Sequence, residues 1–186
     1  MSEALLVMDM QVGIVERLGD RGAELLNTVG VALTAARDHG LTVLFVRVAF
    51  RDGTPEISTN NKSFSAAALS QSLGESNPST QIHPALEVRE GDVIITKRRV
   101  SAFAGSDLDV VLRSLAVDSL VLTGIATSGV VLSTTRQAAD LDFRLTILHD
   151  ACADGDDEVH RVLMEKVFPR QASVVTTAQW AAQLDA

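Results

Sequence analysis

Three short segments of this chain carry residues whose type and setting suit them to chemistry. Asp9 directly follows the apolar run Ala4-Leu5-Leu6-Val7-Met8. Lys97 directly follows Val93-Ile94-Ile95-Thr96. The run Ser119-Leu120-Val121-Leu122-Thr123 leads into Gly124-Ile125-Ala126-Thr127-Ser128-Gly129-Val130. A carboxylate at the end of a hydrophobic strand is open to partial desolvation, which raises its pKa and suits it to proton transfer. A lysine beside it would keep it ionised or orient it, and would stabilise negative charge developing on a substrate. A turn that opens a helix offers backbone N–H groups to an oxyanion or carboxylate. Each feature has a plainer alternative: a capping aspartate, a solvated lysine, an ordinary strand–turn–helix connection.

The elements that must position these residues can be read from periodicity. Short apolar runs at 4–8, 41–48, 93–96, 119–123, 144–148 and 173–176 read as strands that are apolar on both faces, the pattern of a parallel sheet covered by helices. Helical spacing runs over about 21–39 through Leu25, Leu26, Val29, Leu33 and Ala36, with Gly40 as its stop. Further helices are predicted at roughly 106–116, 128–141, 156–167 and 177–184, with Ser106 as an N-cap and Asp107 and Asp157 as first-turn acids. The alternation predicts a three-layer, doubly wound, mostly parallel α/β sheet with helices on both faces. Ligands in such sheets bind beyond the carboxyl ends of the strands, so Asp9, Lys97 and the 124–130 turn should converge on one mouth. Residues 50–80 break the alternation. They are rich in Ser, Asn, Gly and Pro, with a short helix expected around 65–73, and loops of this length are commonly functional.

The 186 residues suit one domain spanning 1–186, and 46% apolar with 22% charged residues indicates a globular fold. A formal charge of −8 argues against a nucleic-acid partner. No apolar run is long enough to span a membrane, and no signal peptide is evident, so a cytoplasmic location is the expectation. Lys97-Arg98-Arg99 is the dense basic cluster, either a solvated turn or a local aid to an anionic substrate. The single cysteine, Cys152, excludes an intrachain disulfide. His39, His83, His149 and His160 are scattered, with no metal-like pairing. Phe50, Phe103 and Trp180 are candidate pocket walls, though core is the commoner fate of such residues.

The order Asp9, Lys97, then Gly124-Ile125-Ala126-Thr127-Ser128-Gly129-Val130-Val131 resembles the isochorismatase-like (cysteine hydrolase) superfamily. The stretch Ser101-Ala102-Phe103-Ala104-Gly105-Ser106-Asp107-Leu108 is similar to the segment after its catalytic lysine, which is why Lys97 is preferred to its arginine neighbours. The resemblance implies Asp9 and Lys97 as catalytic residues. It implies Gln11, Phe103 and the turn residues Ile125, Ala126, Thr127, Ser128, Gly129 and Val130 as substrate-binding or oxyanion groups. The family's nucleophilic cysteine falls at Val130, which cannot attack a substrate. Ser128 lies two residues too early to replace it. Cys152, in Asp150-Ala151-Cys152-Ala153-Asp154, matches a family stretch whose cysteine is not the nucleophile. A non-proline cis peptide of the family corresponds to Ile125–Ala126. Metal-using members carry Asp-x-His after the second strand, where this chain has Arg47-Val48-Ala49-Phe50-Arg51, so no metal and no cofactor are expected.

Some isochorismatases lack the cysteine, and in them an aspartate protonates a vinyl ether before water attacks. The resemblance therefore implies a cysteine-independent hydrolase of a small organic molecule, with Asp9 as general acid/base. The alternatives are an amidase-type hydrolase using activated water, or a catalytically silent binding or scaffold homologue. Asp9 and Lys97 without the thiol favour an enzyme. Family precedent also implies a homodimer or homotetramer, for which Val159, Val162, Leu163, Val167 and Phe168 offer apolar surface.

Overall fold

A computed structural model describes residues 2–68 and 72–185. Six strands form one sheet: β1 (Glu3–Met8), β2 (Thr42–Val48), β3 (Val93–Lys97), β4 (Ser119–Ile125), β5 (Arg144–Ala153) and β6 (Ser173–Val175). Every pairing is parallel and the order is β3-β2-β1-β4-β5-β6. The helices are α1 (Val12–Val15), α2 (Asp20–Asp38), α3 (Lys62–Ala68), α4 (Leu108–Ser114), α5 (Leu132–Asp140), α6 (Asp157–Val162) and α7 (Thr177–Leu184). The fold is the doubly wound α/β sheet that the strand and helix alternation predicts.

The continuous apolar strands are explained by two cores. Ala4, Leu6 and Met8 of β1 face one core with Leu108, Leu112 and Ala138, under α4 and α5. Leu5 and Val7 face the other with Leu25, Val29, Leu33 and Trp180, under α2 and α7. A strand so placed has no solvent face, and all five residues from Ala4 to Met8 are fully buried. The chain winds outward in opposite directions from β1 and from β4, which places the switch in strand order between those two neighbours. Asp9 and the Gly124 turn therefore flank the crevice where such sheets bind ligands.

Several elements differ locally from their sequence reading. The segment expected as one helix from 128 begins with a wider π-type turn at Thr127–Val131 and becomes α5 only at Leu132. Likewise α6 gives way to a π-type turn at Leu163–Val167. That segment turns Leu163 and Phe168 into the core, so two of the five residues offered for self-association are buried, and Val159 is the one that is exposed. Asp107, not Ser106, is the N-cap of α4, although the Ser106 hydroxyl still accepts from the Leu108 N–H at 3.3 Å. The helix expected around 65–73 is observed at Lys62–Ala68, and residues 69–71 of that expectation lie outside the described residues. Strand β5 is longer than expected because it is irregular. Leu122 pairs with Ile147 but Gly124 with Cys152, so β5 carries extra residues around His149 and Asp150.

At Gly124 the backbone of β1 leaves no room for a side chain on β4. A Cβ there would lie 2.8 Å from the Met8 carbonyl oxygen and 3.1 Å from Met8 Cβ. Backbone cannot yield as a flexible side chain can. Gly124→Ala should therefore lower stability by about 1–3 kcal/mol, seen as a lower urea midpoint at unchanged m-value.

Candidate active site

The end of β1 turns sharply at Asp9. Its φ of +56° lies in the left-handed region, uncommon for a non-glycine residue, and its N–H donates to Val46 O on β2 at 2.8 Å. This conformation aims the carboxylate toward the end of β3. Lys97 Nζ lies 2.9 Å from Asp9 Oδ2 and also donates to Arg99 O at 3.0 Å. The two residues are 5% and 1% exposed, so the ion pair sits in the protein interior. Asp9 Oδ1 is buried and has no hydrogen-bond partner among the described residues. Burial pushes the Asp9 carboxyl above its ordinary value, and the Lys97 charge and hydrogen bond oppose that rise without cancelling it.

The Gly124–Val130 turn runs from the end of β4, the strand that pairs with β1 and sets Gly124 opposite Met8. The Ile125–Ala126 peptide is cis. Val130 is buried in the core that holds Met8 and Phe103. Its Cγ1 is 3.4 Å from the place a Gly124 Cβ would take. The Gly129 N–H is committed within the turn, donating to Ala126 O at 3.0 Å, and the Val131 N–H just beyond it donates to the same oxygen at 3.3 Å. The Ser128 N–H donates to Asp154 Oδ2 at 2.7 Å. Thr127 Oγ1 shares a 2.8 Å hydrogen bond with His160 Nδ1. Burial works to raise the Asp154 carboxyl, but the hydrogen bonds from Ser128, Asp156 and Gly155 hold it below its ordinary value.

Gln11 acts as a clamp. Its Nε2 donates to Val48 O at 2.9 Å and to Thr80 O at 2.7 Å, while its Oε1 accepts from Val48 N at 2.8 Å. It thereby ties the end of β2 to the far end of the 50–80 segment. Phe103 packs in the core against Phe143, with ring centroids 6.0 Å apart. Its segment is fixed to α5, with Ala102 N donating to Thr134 Oγ1 at 3.0 Å and Ser101 Oγ to Gln137 Oε1 at 2.7 Å. The two arginines of the basic cluster are engaged within the fold. Arg98 pairs with Glu75 and Glu56, and Arg99 donates to Glu56 O at 2.9 Å. Phe50 and Trp180 are core residues. Cys152 is buried, and burial pushes its thiol up to about 12. Among the described residues no cluster of His, Cys, Asp or Glu is placed to hold a metal ion, and no helix is long and apolar enough to cross a membrane.

The isochorismatase domain matches residues 3–179. The chain belongs to the isochorismatase family. It is 31% identical over 181 residues to the isochorismatase family protein YwoC of Bacillus subtilis, covering 97% of this chain and 93% of that one. It is 30% identical to the ureidoacrylate amidohydrolase RutB of Klebsiella pneumoniae, covering 80% of this chain and 72% of that one. Among solved structures, an isochorismatase family protein of Burkholderia thailandensis matches with a TM-score of 0.86 and 30% identity, over 100% of this chain and 96% of that one.

Around this candidate site, sequence reasoning did not connect Asp154 and His160 to the turn. They reach the turn from 26 and 33 residues away, and nothing local in the sequence signals the contact. The one available signal was the parallel order itself, which brings the segment after β5 beside the segment after β4.

The buried groups dictate two outcomes. Lys97→Met leaves the Asp9 charge unpaired and should cost about 3–5 kcal/mol at pH 7. Without Lys97 the Asp9 pKa rises further above its unfolded value. Stability held below the unfolded pKa is then lost as pH rises through the folded one, so part of the deficit should be recovered at about pH 4–5. Urea titrations at both pH values check this, and an equal deficit at each would exclude an ionised Asp9 as its cause. Cys152 should resist a thiol-reactive chromogen in the native protein and release its colour only on unfolding.

Proposed function

We propose that this isochorismatase-family protein is a hydrolase that works without a cysteine nucleophile, with Asp9 as general acid on an enol ether of a small organic acid. The observation that carries this is the Asp9 carboxylate itself. One oxygen is held by Lys97 while the other is buried and unpartnered. A carboxyl with its pKa raised by burial is suited to hand over a proton. Val130 stands where the resemblance puts the nucleophile. Cys152, buried and with its thiol pushed up to about 12, is unsuited to replace it.

In this mechanism the Asp9 carboxylic acid forms a C–H bond at the enol carbon, leaving a carboxylate and an oxocarbenium ion. Lys97 stabilises that carboxylate. Water adds to the cation and returns a proton to Asp9, and the resulting hemiketal collapses to a carbonyl compound and an alcohol. The turn's role is to fix an anionic group of the substrate beside Asp9.

A second reading has one specific support. RutB, which covers most of this chain, is a ureidoacrylate amidohydrolase. An amidase lacking the thiol would use water deprotonated by an ionised Asp9. The two mechanisms require opposite protonation states and so opposite pH dependence. If Asp9 is the acid, kcat/KM falls as pH rises through its pKa; if it is the base, kcat/KM rises there.

The test is a turnover screen across isochorismate-like enol ethers, nicotinamide-like amides and carbamoyl compounds, followed by pH profiles on any hit. Asp9→Asn should lower kcat by about 10²–10⁴-fold with a much smaller change in KM. Turnover unaffected by Asp9→Asn would rule out both mechanisms. No turnover of any compound would favour a binding protein.

A further inference from the structure

Thr127 and Ser128 lie in the turn between β4 and α5, yet each is held from outside it by the segment after β5. Asp154 takes the Ser128 N–H at 2.7 Å, and Asp154 Oδ1 also accepts from Asp156 N at 3.3 Å. His160, on α6, meets the Thr127 hydroxyl at 2.8 Å. The two ends of this second contact have different surroundings. Thr127 is fully buried. His160 is half-buried and lines an open recess of about 270 Å³ with Arg21, Glu24, Asp150, Cys152 and Asp157. A proton can therefore reach the imidazole from solvent, while the hydroxyl beyond it is sealed in.

We infer that His160 is a positioning residue for the Gly124–Val130 turn, and that it holds Thr127 as a neutral imidazole whose Nδ1 accepts the hydroxyl proton. This rests on the reading of that turn as part of the active site. In the neutral tautomer that carries its proton on Nε2, Nδ1 accepts, whereas the imidazolium Nδ1 can only donate. Protonation therefore reverses the bond. The Thr127 oxygen must then accept, and its own proton loses its acceptor at a fully buried position. A buried hydroxyl proton left without an acceptor costs free energy, and movement of the turn relieves that cost. The contact thus fixes the turn above the imidazole pKa and loosens it below.

The groups facing His160 set where that happens. Burial lowers its pKa below the ordinary 6.5, and the His149 charge from β5 lowers it further. Asp154 after β5 and Asp157 on α6 raise it, and Arg21 on α2, paired to Asp157, lowers it. Glu24 of α2 and Asp150 of β5 complete the charged wall of the recess.

The test is a pH titration of the full-length ¹⁵N-labelled protein from pH 7.5 to 5, following the His160 ring proton and the backbone amides of Thr127, Ser128 and Val130. The turn amides should shift in one step, with the same midpoint as the His160 ring and below 6.5. In His160→Gln, which keeps an acceptor but cannot titrate in this range, the turn amides should stay flat over the same range. Turn amides that do not move in the unaltered protein would overturn the inference. So would a step that persists in His160→Gln, because His149 or a carboxylate would then be its source. None of these outcomes depends on turnover, so failure of the Asp9 mechanism in the substrate screen leaves this result separately readable.

Discussion

A charge pair buried between strand ends sets the terms for the rest of the molecule. Asp9 follows β1 and Lys97 ends β3, with β2 lying between those strands in the sheet. Removing two charges from water costs several kcal/mol per ion, and mutual attraction recovers this only when the geometry is tight and other hydrogen bonds assist. Here Lys97 has a second acceptor in Arg99 O, whereas Asp9 has one unpartnered oxygen. The pair is therefore incompletely satisfied on the acid side. Replacing a buried ion pair by well-packed apolar residues is often neutral or stabilising, so stability alone does not account for this one. An unsatisfied carboxylate in a left-handed backbone conformation is the kind of local cost found at functional sites.

Rigid surroundings make that cost sustainable. The strand leading to Asp9 is buried on both faces between two cores, so its end cannot shift without disturbing packing on either side. Gln11 fastens the next turn to β2 and to Thr80 through three hydrogen bonds. On the other flank, Gly124 lets β4 approach the Met8 carbonyl more closely than any side chain would permit. The 50–80 segment is tied down over the β3 end by Glu56 and Glu75 through Arg98. The arginines after Lys97 thus serve the scaffold: Arg98 pairs with Glu56 and Glu75, and Arg99 donates to the backbone carbonyls of Arg98 and Glu56.

The Gly124–Val130 turn has a different kind of support. Its N–H groups are partly consumed by its own π-type turn and by Asp154, so its capacity to hold an anion is narrower than a free helix N-terminus would offer. What remains is a turn whose shape is fixed by partners on two sides, α5 behind it and the segment after β5 beside it.

The sequence by itself determined the layering. Runs apolar on both faces, alternating with helical segments, fit a covered parallel sheet, and the position of Asp9 and Lys97 at the ends of such runs placed both at the carboxyl edge. The order of Asp, Lys and the Gly-turn also made the family legible, because those spacings span separate elements that must meet. Other features were decided only by tertiary structure. Periodicity could not register the π-type turns at Thr127–Val131 and Leu163–Val167, because a one-residue widening leaves the apolar spacing almost unchanged while rotating the residues beyond it; Phe168, directly after the second turn, is in the core. The roles of Asp154 and His160 were invisible because hydrogen bonds over 26 and 33 residues depend on which strands become neighbours. The balance of the Asp9 carboxyl was equally beyond sequence. Desolvation depends on how completely the chain closes around a group, and that is a property of packing in three dimensions.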